Sequence, residues 1–149
     1  MKYSHRSVLS RIAFSLFLGV SSIAFAVAAD QPIDHNSVQL QPQVQNGISY
    51  LTGGIGLDES TALKQTQGYN LHMTFSSGPS NQYLGSVDVV IQDTKGASLL
   101  SLSQVGPMIY VKLPAGKYIV LATLNGNQQR NTIALDGKST GTLNFHWND

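Results

Sequence analysis

The chain contains no cysteine. That excludes a disulfide framework, thiol catalysis and every cysteine-ligated metal site. Charged residues make up only 11% of the sequence, and no basic cluster of the kind that follows a phosphate backbone occurs, so nucleic acid is excluded as a partner. Long apolar runs are also missing. The longest lies in residues 12–23 and falls short of the ~20 residues needed to cross a bilayer. With a single tryptophan and no cross-links, the fold must be held by an aliphatic and tyrosine-rich core.

That one apolar run has a specific use. Lys2, Arg6 and Arg11 precede it, and it ends in Ala24-Phe25-Ala26 and Ala26-Val27-Ala28, both small-x-small cleavage signals. Residues 1–28 therefore read as a cleaved export signal, which predicts a periplasmic or secreted protein with no membrane span after cleavage. Cleavage also changes the charge. Of nine Lys and Arg residues, three leave with the signal, so six remain against eight acids, a net of −2. About 120 mature residues suffice for one domain with one core.

Residues 29–46 are glutamine-rich, carry Pro32 and Pro42, and lack a sustained apolar period. They read as a flexible leader, with the domain spanning 47–149, although the weak alternation of Val38, Leu40 and Val44 allows part of the leader to lie along a sheet edge. Residues 47–51 form a first strand and Thr52-Gly-Gly-Ile-Gly56 a turn. Asp58 is placed to cap a short surface helix over 59–67, closed by Gly68. From Tyr69 the apolar period becomes two. Tyr69, Leu71, Met73 and Phe75 form one row, then Val87, Val89 and Ile91, then Leu143, Phe145 and Trp147. Asp93-Thr-Lys-Gly96 and Asn125-Gly126 are hairpin signals, and Asn127 to Leu135 is polar enough for an edge strand. The spacing predicts a mainly β protein, a single antiparallel sandwich of seven or eight strands with one short helix.

Leu113-Pro-Ala-Gly-Lys-Tyr118 reads as a tight turn joining two strands. Proline sets one backbone angle, Gly116 is expected to supply a left-handed residue, and the Tyr118 hydroxyl is expected to bond back to the turn. Together with Val87-Asp-Val-Val-Ile-Gln-Asp-Thr-Lys-Gly96, this element resembles the carboxypeptidase regulatory-like, transthyretin-like domain. Small exported bacterial proteins of that type are similar over residues 46–147. They share the Asn46-Gly-Ile-Ser-Tyr-Leu-Thr-Gly-Gly-Ile-Gly56 opening, the Gly106-Pro-Met108 step and the Phe145-His-Trp147 end. The resemblance implies a transthyretin/Ig-like sandwich fold and carries no family activity with it, since the family name comes from a domain attached to the enzyme and not from its zinc unit.

Candidate chemistry is sparse. Gly137-Lys-Ser139 lacks the phosphate-loop glycine at position 132, which is Thr. Asp58 and Glu59 would repel an anion from the helix start. No serine or acid pair sits in a catalytic pattern, so the chain is read as a non-enzyme without cofactor. His35 falls in the leader. His72 and His146 alternate with polar residues, and as exposed imidazoles on two strands they offer the alternative reading of a small-ligand or metal carrier. The preferred reading is an exported, non-catalytic binding or accessory module for a protein or an envelope polymer. Its contact residues would be Tyr83 and an exposed Met108 and Tyr110 pair, carried by loops 76–82 and 104–108 and the turn 52–57.

Overall fold

In a computed structural model, residues 38–148 are described. The predicted export signal, His35 and most of the predicted leader lie outside them. The alternating rows of the sequence become two facing sheets of a mainly β sandwich. Ten strands and one helix follow in chain order: β1 (Gln43–Gln45), β2 (Ile48–Gly53), α1 (Leu57–Gln65), β3 (Leu71–Ser77), β4 (Gln82–Tyr83), β5 (Val87–Asp93), β6 (Ser98–Val105), β7 (Met108–Lys112), β8 (Gly116–Leu124), β9 (Asn127–Leu135) and β10 (Gly141–Trp147). The first sheet runs β1-β2-β7-β3-β10, with β4 also paired to β3; the second runs β6-β5-β8-β9. Among the described residues, no helix is long and apolar enough to cross a membrane.

Between the sheets lie the predicted rows apart from Tyr69, which precedes β3 and packs against Leu51, Leu63, Met108 and Tyr110 on the opposite face. Leu71, Met73, Phe75, Val87, Val89, Ile91 and Phe145 are fully buried, with Val111 and Val120 beside them. Phe75, Phe145 and Trp147 form an aromatic cluster with ring centroids 5.7–6.4 Å apart. Offset aromatic contacts at this range add to the burial of their large surfaces.

Several expectations change. The leader is ordered at its end: β1 pairs antiparallel with β2 through Asn46-Gly47, whose φ values of 53° and 78° suit a tight hairpin. Structure therefore begins at least four residues before position 47. The sandwich is also not wholly antiparallel, because β10 lies parallel to β3, with Leu71 opposite Gly141 and Ser77 opposite Trp147. Parallel neighbours need a long connection, and here it runs through all four strands of the second sheet together with β4 and β7 of the first.

The Pro-Ala-Gly element is not a hairpin either. It carries the chain from β7 in one sheet to β8 in the other. Asn70 fastens this crossing by bonding both backbone groups of Leu113: its amide donates to the carbonyl at 2.8 Å, and its carbonyl accepts from the N–H at 2.9 Å. The Tyr118 hydroxyl donates to the Pro114 carbonyl at 2.8 Å, as expected of an inward-packed ring. Gly116 does not adopt a positive φ; it opens β8 in a conformation open to other residues.

The hairpins over Asp93–Gly96 and Asn125-Gly126 form as read, with φ of 86° at Gly96 and 48° and 81° at Asn125 and Gly126. The Asp93 carboxylate accepts the backbone N–H groups of Lys95 and Ala97. The polar β9 is an edge strand.

Side-chain amides bridge the gaps between the two sheets. Asn46 donates to the Leu99 carbonyl, Gln45 accepts from Ser101 N–H, and Gln129 donates to the His146 carbonyl. Trp147 likewise donates its indole N–H to the Asn127 carbonyl at 3.2 Å.

Candidate functional site

The outer face of the first sheet is divided in two. Over β2 and β7 lies α1, which packs Leu63 onto Leu51, Met108 and Tyr110 as a second apolar cluster. The expectation that Met108 and Tyr110 are exposed is thereby corrected: they are 3% and 7% accessible. Ile109, Val111 and Leu113 do face the main core, so the strand phase was read correctly. The opposite face is covered by α1, and this cover removes the exposed pair. β7 is a central strand buried on both sides, which explains the unbroken apolar run from Met108 to Val111.

The helix differs from its reading. It begins at Leu57, with Gly56 rather than Asp58 preceding it, and no side chain caps it. Glu59 instead reaches back from the first turn. Its carboxylate accepts the N–H groups of Gly54 at 3.0 Å and Ile55 at 2.8 Å, folding the glycine turn against the helix. Charge-assisted bonds of this kind stabilise more than neutral ones. A Cβ at Gly53 would sit 2.6 Å from Oε1 of that carboxylate, so a side chain there would push the Glu59 tether aside.

This tethered turn holds Ile55 and Leu57 in solvent at 74% and 68% accessibility. Both line a cleft of about 510 Å³ with Gly54, Ser60, Tyr83 and Pro107. Tyr83, on the short β4, is 51% exposed and forms the facing wall. Three of the four exposed large apolar side chains among the described residues therefore converge on one cleft; the fourth, Val44, lies on β1. The turn 52–57 and Tyr83 were anticipated, and Pro107 belongs to the anticipated loop 104–108. Ile55 and Leu57 were missed as individual residues. Their signal was present: two large aliphatics in a glycine-rich turn, where no strand or helix period buries them.

Over β3 and β10 the outer face is uncovered and polar. The register sets Thr74 opposite Asn144 and Ser76 opposite His146. With Asn81 and Tyr83 these four residues line a recess of about 380 Å³. Tyr83 thus separates an apolar cleft from a polar recess.

The two histidines do not meet. His72 lies opposite Thr142 and His146 opposite Ser76, four residues further along the paired strands, which is ~13 Å at strand rise. One ion cannot bridge them, and no group of three His, Cys, Asp or Glu side chains converges among the described residues. His72 is not a free surface imidazole either. Its ring stacks on Tyr110, its cross-strand partner, with centroids 3.6 Å apart and planes within 1°. Its Nε2 is buried without a hydrogen-bond partner. Desolvation pulls its pKa below 6.5, against an opposing backbone hydrogen bond with Tyr69. Burial pushes the Tyr110 hydroxyl up from 10.0, and the neighbouring Tyr83 adds to the rise.

His146 Nδ1 lies 3.1 Å from Ser76 Oγ, the nearest approach to a nucleophile–base pair. Such a pair needs a third group to orient the imidazole. Glu59, Asp88, Asp93 and Asp136 are engaged elsewhere, each accepting backbone N–H groups in loops or turns. No protein-family model and no curated protein matches this sequence.

Proposed function

We propose that this protein is an exported, non-catalytic binding module that engages a protein partner through the cleft between Ile55, Leu57 and Tyr83. Solvent-exposed apolar side chains gathered on one rim carry this reading, because monomeric surfaces seldom group them without a contact to make. An aromatic and two aliphatic anchors around a preformed hollow are the composition of an interface centre. The Glu59 tether supports it further by holding the turn in place before a partner arrives, which lowers the ordering cost of binding. The basic, apolar and small-residue pattern of residues 1–28 supports export, and the likeness to small transthyretin-like exported proteins supports an accessory role.

The test is site-specific photo-crosslinking in the cell of origin. A photoreactive residue at position 57 should trap one reproducible partner, and the same probe at Thr94, in the β5–β6 turn, should not. Ile55→Ser with Tyr83→Ser should abolish that adduct while the melting temperature holds. Equal adducts from positions 57 and 94, or an adduct indifferent to the double change, would overturn the assignment.

A further inference from the structure

We propose that the polar recess beside Tyr83 is a binding subsite for a neutral saccharide. Its floor is the open half of the first sheet, where Thr74, Ser76, Asn144 and His146 stand side by side on adjacent strands. Asn81 and Tyr83 rise as its wall. The floor is a seven-residue parallel ladder, so these groups are held by backbone pairing and not by a mobile loop. At about 380 Å³ the recess falls within the size range of small-ligand sites.

The donor set selects the ligand. Hydroxyl, amide and imidazole groups line the recess, and each side-chain type offers both donor and acceptor capacity. Sugar hydroxyls have the same dual character. None of the lining residues carries a carboxylate, an ammonium or a guanidinium, so neither a phosphate nor a cation finds a counter-charge. A wholly apolar ligand would strip water from the two amides without replacing it. The half-exposed Tyr83 ring supplies the remaining element. Its electron-rich face attracts the weakly positive C–H face of a pyranose, while the hydroxyls around that ring stay free for Asn81 and Asn144. The Ser76 contact at 3.1 Å positions His146; in the tautomer whose Nδ1 accepts from the serine, Nε2–H is the donor left for a ligand.

This inference does not rest on the protein-binding cleft. Ile55 and Leu57 do not line the recess, and Asn144 and His146 do not line the cleft; only Tyr83 belongs to both. The test is amide-resolved NMR titration of the processed protein with maltohexaose, cellohexaose and chitohexaose, and with polygalacturonate as an anionic control. The expected result is saturable shifts at Asn81, Tyr83, Asn144 and His146 with at least one neutral oligosaccharide. Asn144→Ala, an exposed change on a formed strand, should weaken that binding about tenfold through two lost hydrogen bonds. Ile55→Ser with Leu57→Ser should leave it unchanged. No shift with any of the three neutral sugars, a response to polygalacturonate alone, or full binding by Asn144→Ala would overturn the proposal.

Discussion

Gly106 marks the point where the chain leaves the second sheet for the first, and it passes against β2 more closely than any side chain permits. A Cβ placed there would lie 2.7 Å from the Gly53 carbonyl oxygen and 3.2 Å from both Gly53 Cα and carbonyl carbon. These obstructing atoms are backbone, belonging to a strand whose other partners are fixed by register to β1 and β7. They cannot rotate away as a side-chain tip would. Gly106→Ala must therefore displace the crossing itself and stretch the Gly106 N–H bond to Thr52 Oγ1, already 3.2 Å long. Overpacking of this kind costs ~1–3 kcal/mol, and the unyielding neighbour places the change in the upper part of that range, about 2 kcal/mol. In urea unfolding the midpoint should fall by about 1 M, with m unchanged. Thermal unfolding should drop by roughly 8–12 °C. Gly85→Ala is the matched control, since its Cβ would meet nothing within 4 Å and its φ is not positive. It should be neutral or slightly stabilising, because alanine restricts the unfolded chain. A Gly106→Ala variant as stable as Gly85→Ala would refute the close-approach reasoning.

Three further outcomes are expected. Leu63→Ala removes the side chain that seals α1 onto Leu51, Met108 and Tyr110 and should cost about 2–3 kcal/mol by urea unfolding, at the low end for buried leucine because a surface helix can settle inward. A cost under about 0.5 kcal/mol would mean the helix does not anchor there. Tyr118→Phe keeps the buried ring and loses only the bond to Pro114, so about 1 kcal/mol should be lost; an unchanged urea midpoint would dismiss that bond as a stabilising contact. For pH, the folded-state pKa of His72 lies below 6.5, so the unfolded chain takes up its proton first as pH falls. Its contribution is level above pH 6.5 and erodes below it, down to the folded pKa. Urea midpoints at pH 7.5 and 5.0 should therefore differ more in the wild type than in His72→Phe, and equal differences would refute the assignment.

The sequence disclosed most where one sheet face meets the core and the other meets solvent. In β3 and β5 the alternation of Leu71, Met73 and Phe75, and of Val87, Val89 and Ile91, gave both the strand and its inward face. It misled where burial is two-sided. Met108 to Val111 has no polar face to signal exposure, and α1 gave little warning of its role, since Leu63 is its one fully buried aliphatic. Pairing partners were illegible for another reason. Nothing local in Gly141–Trp147 specifies a parallel neighbour 70 residues earlier, and Leu113-Pro-Ala-Gly116 reads the same whether it returns to its own sheet or crosses to the other. β1 was faintly legible: Val44 belongs to the weak alternation that allowed a sheet edge, but glutamines rarely advertise a strand, and nothing local shows that Gln45 accepts a backbone N–H across the gap between sheets. At the candidate site, the tether from Glu59 and the meeting of Tyr83 with Ile55 and Leu57 are tertiary facts that spacing alone does not contain.

The parallel pairing of β10 with β3 bears on the order in which this protein comes into being. Phe145 and Trp147 complete the aromatic cluster around Phe75, and they arrive with the final strand of the chain. Until those residues are available, β3 lacks its partner along one whole edge and the core remains open at its widest side chains. Contacts so distant in sequence form late and cooperatively. A chain that lacks its last strand should therefore leave that edge of β3 unpaired and the aromatic cluster around Phe75 incomplete.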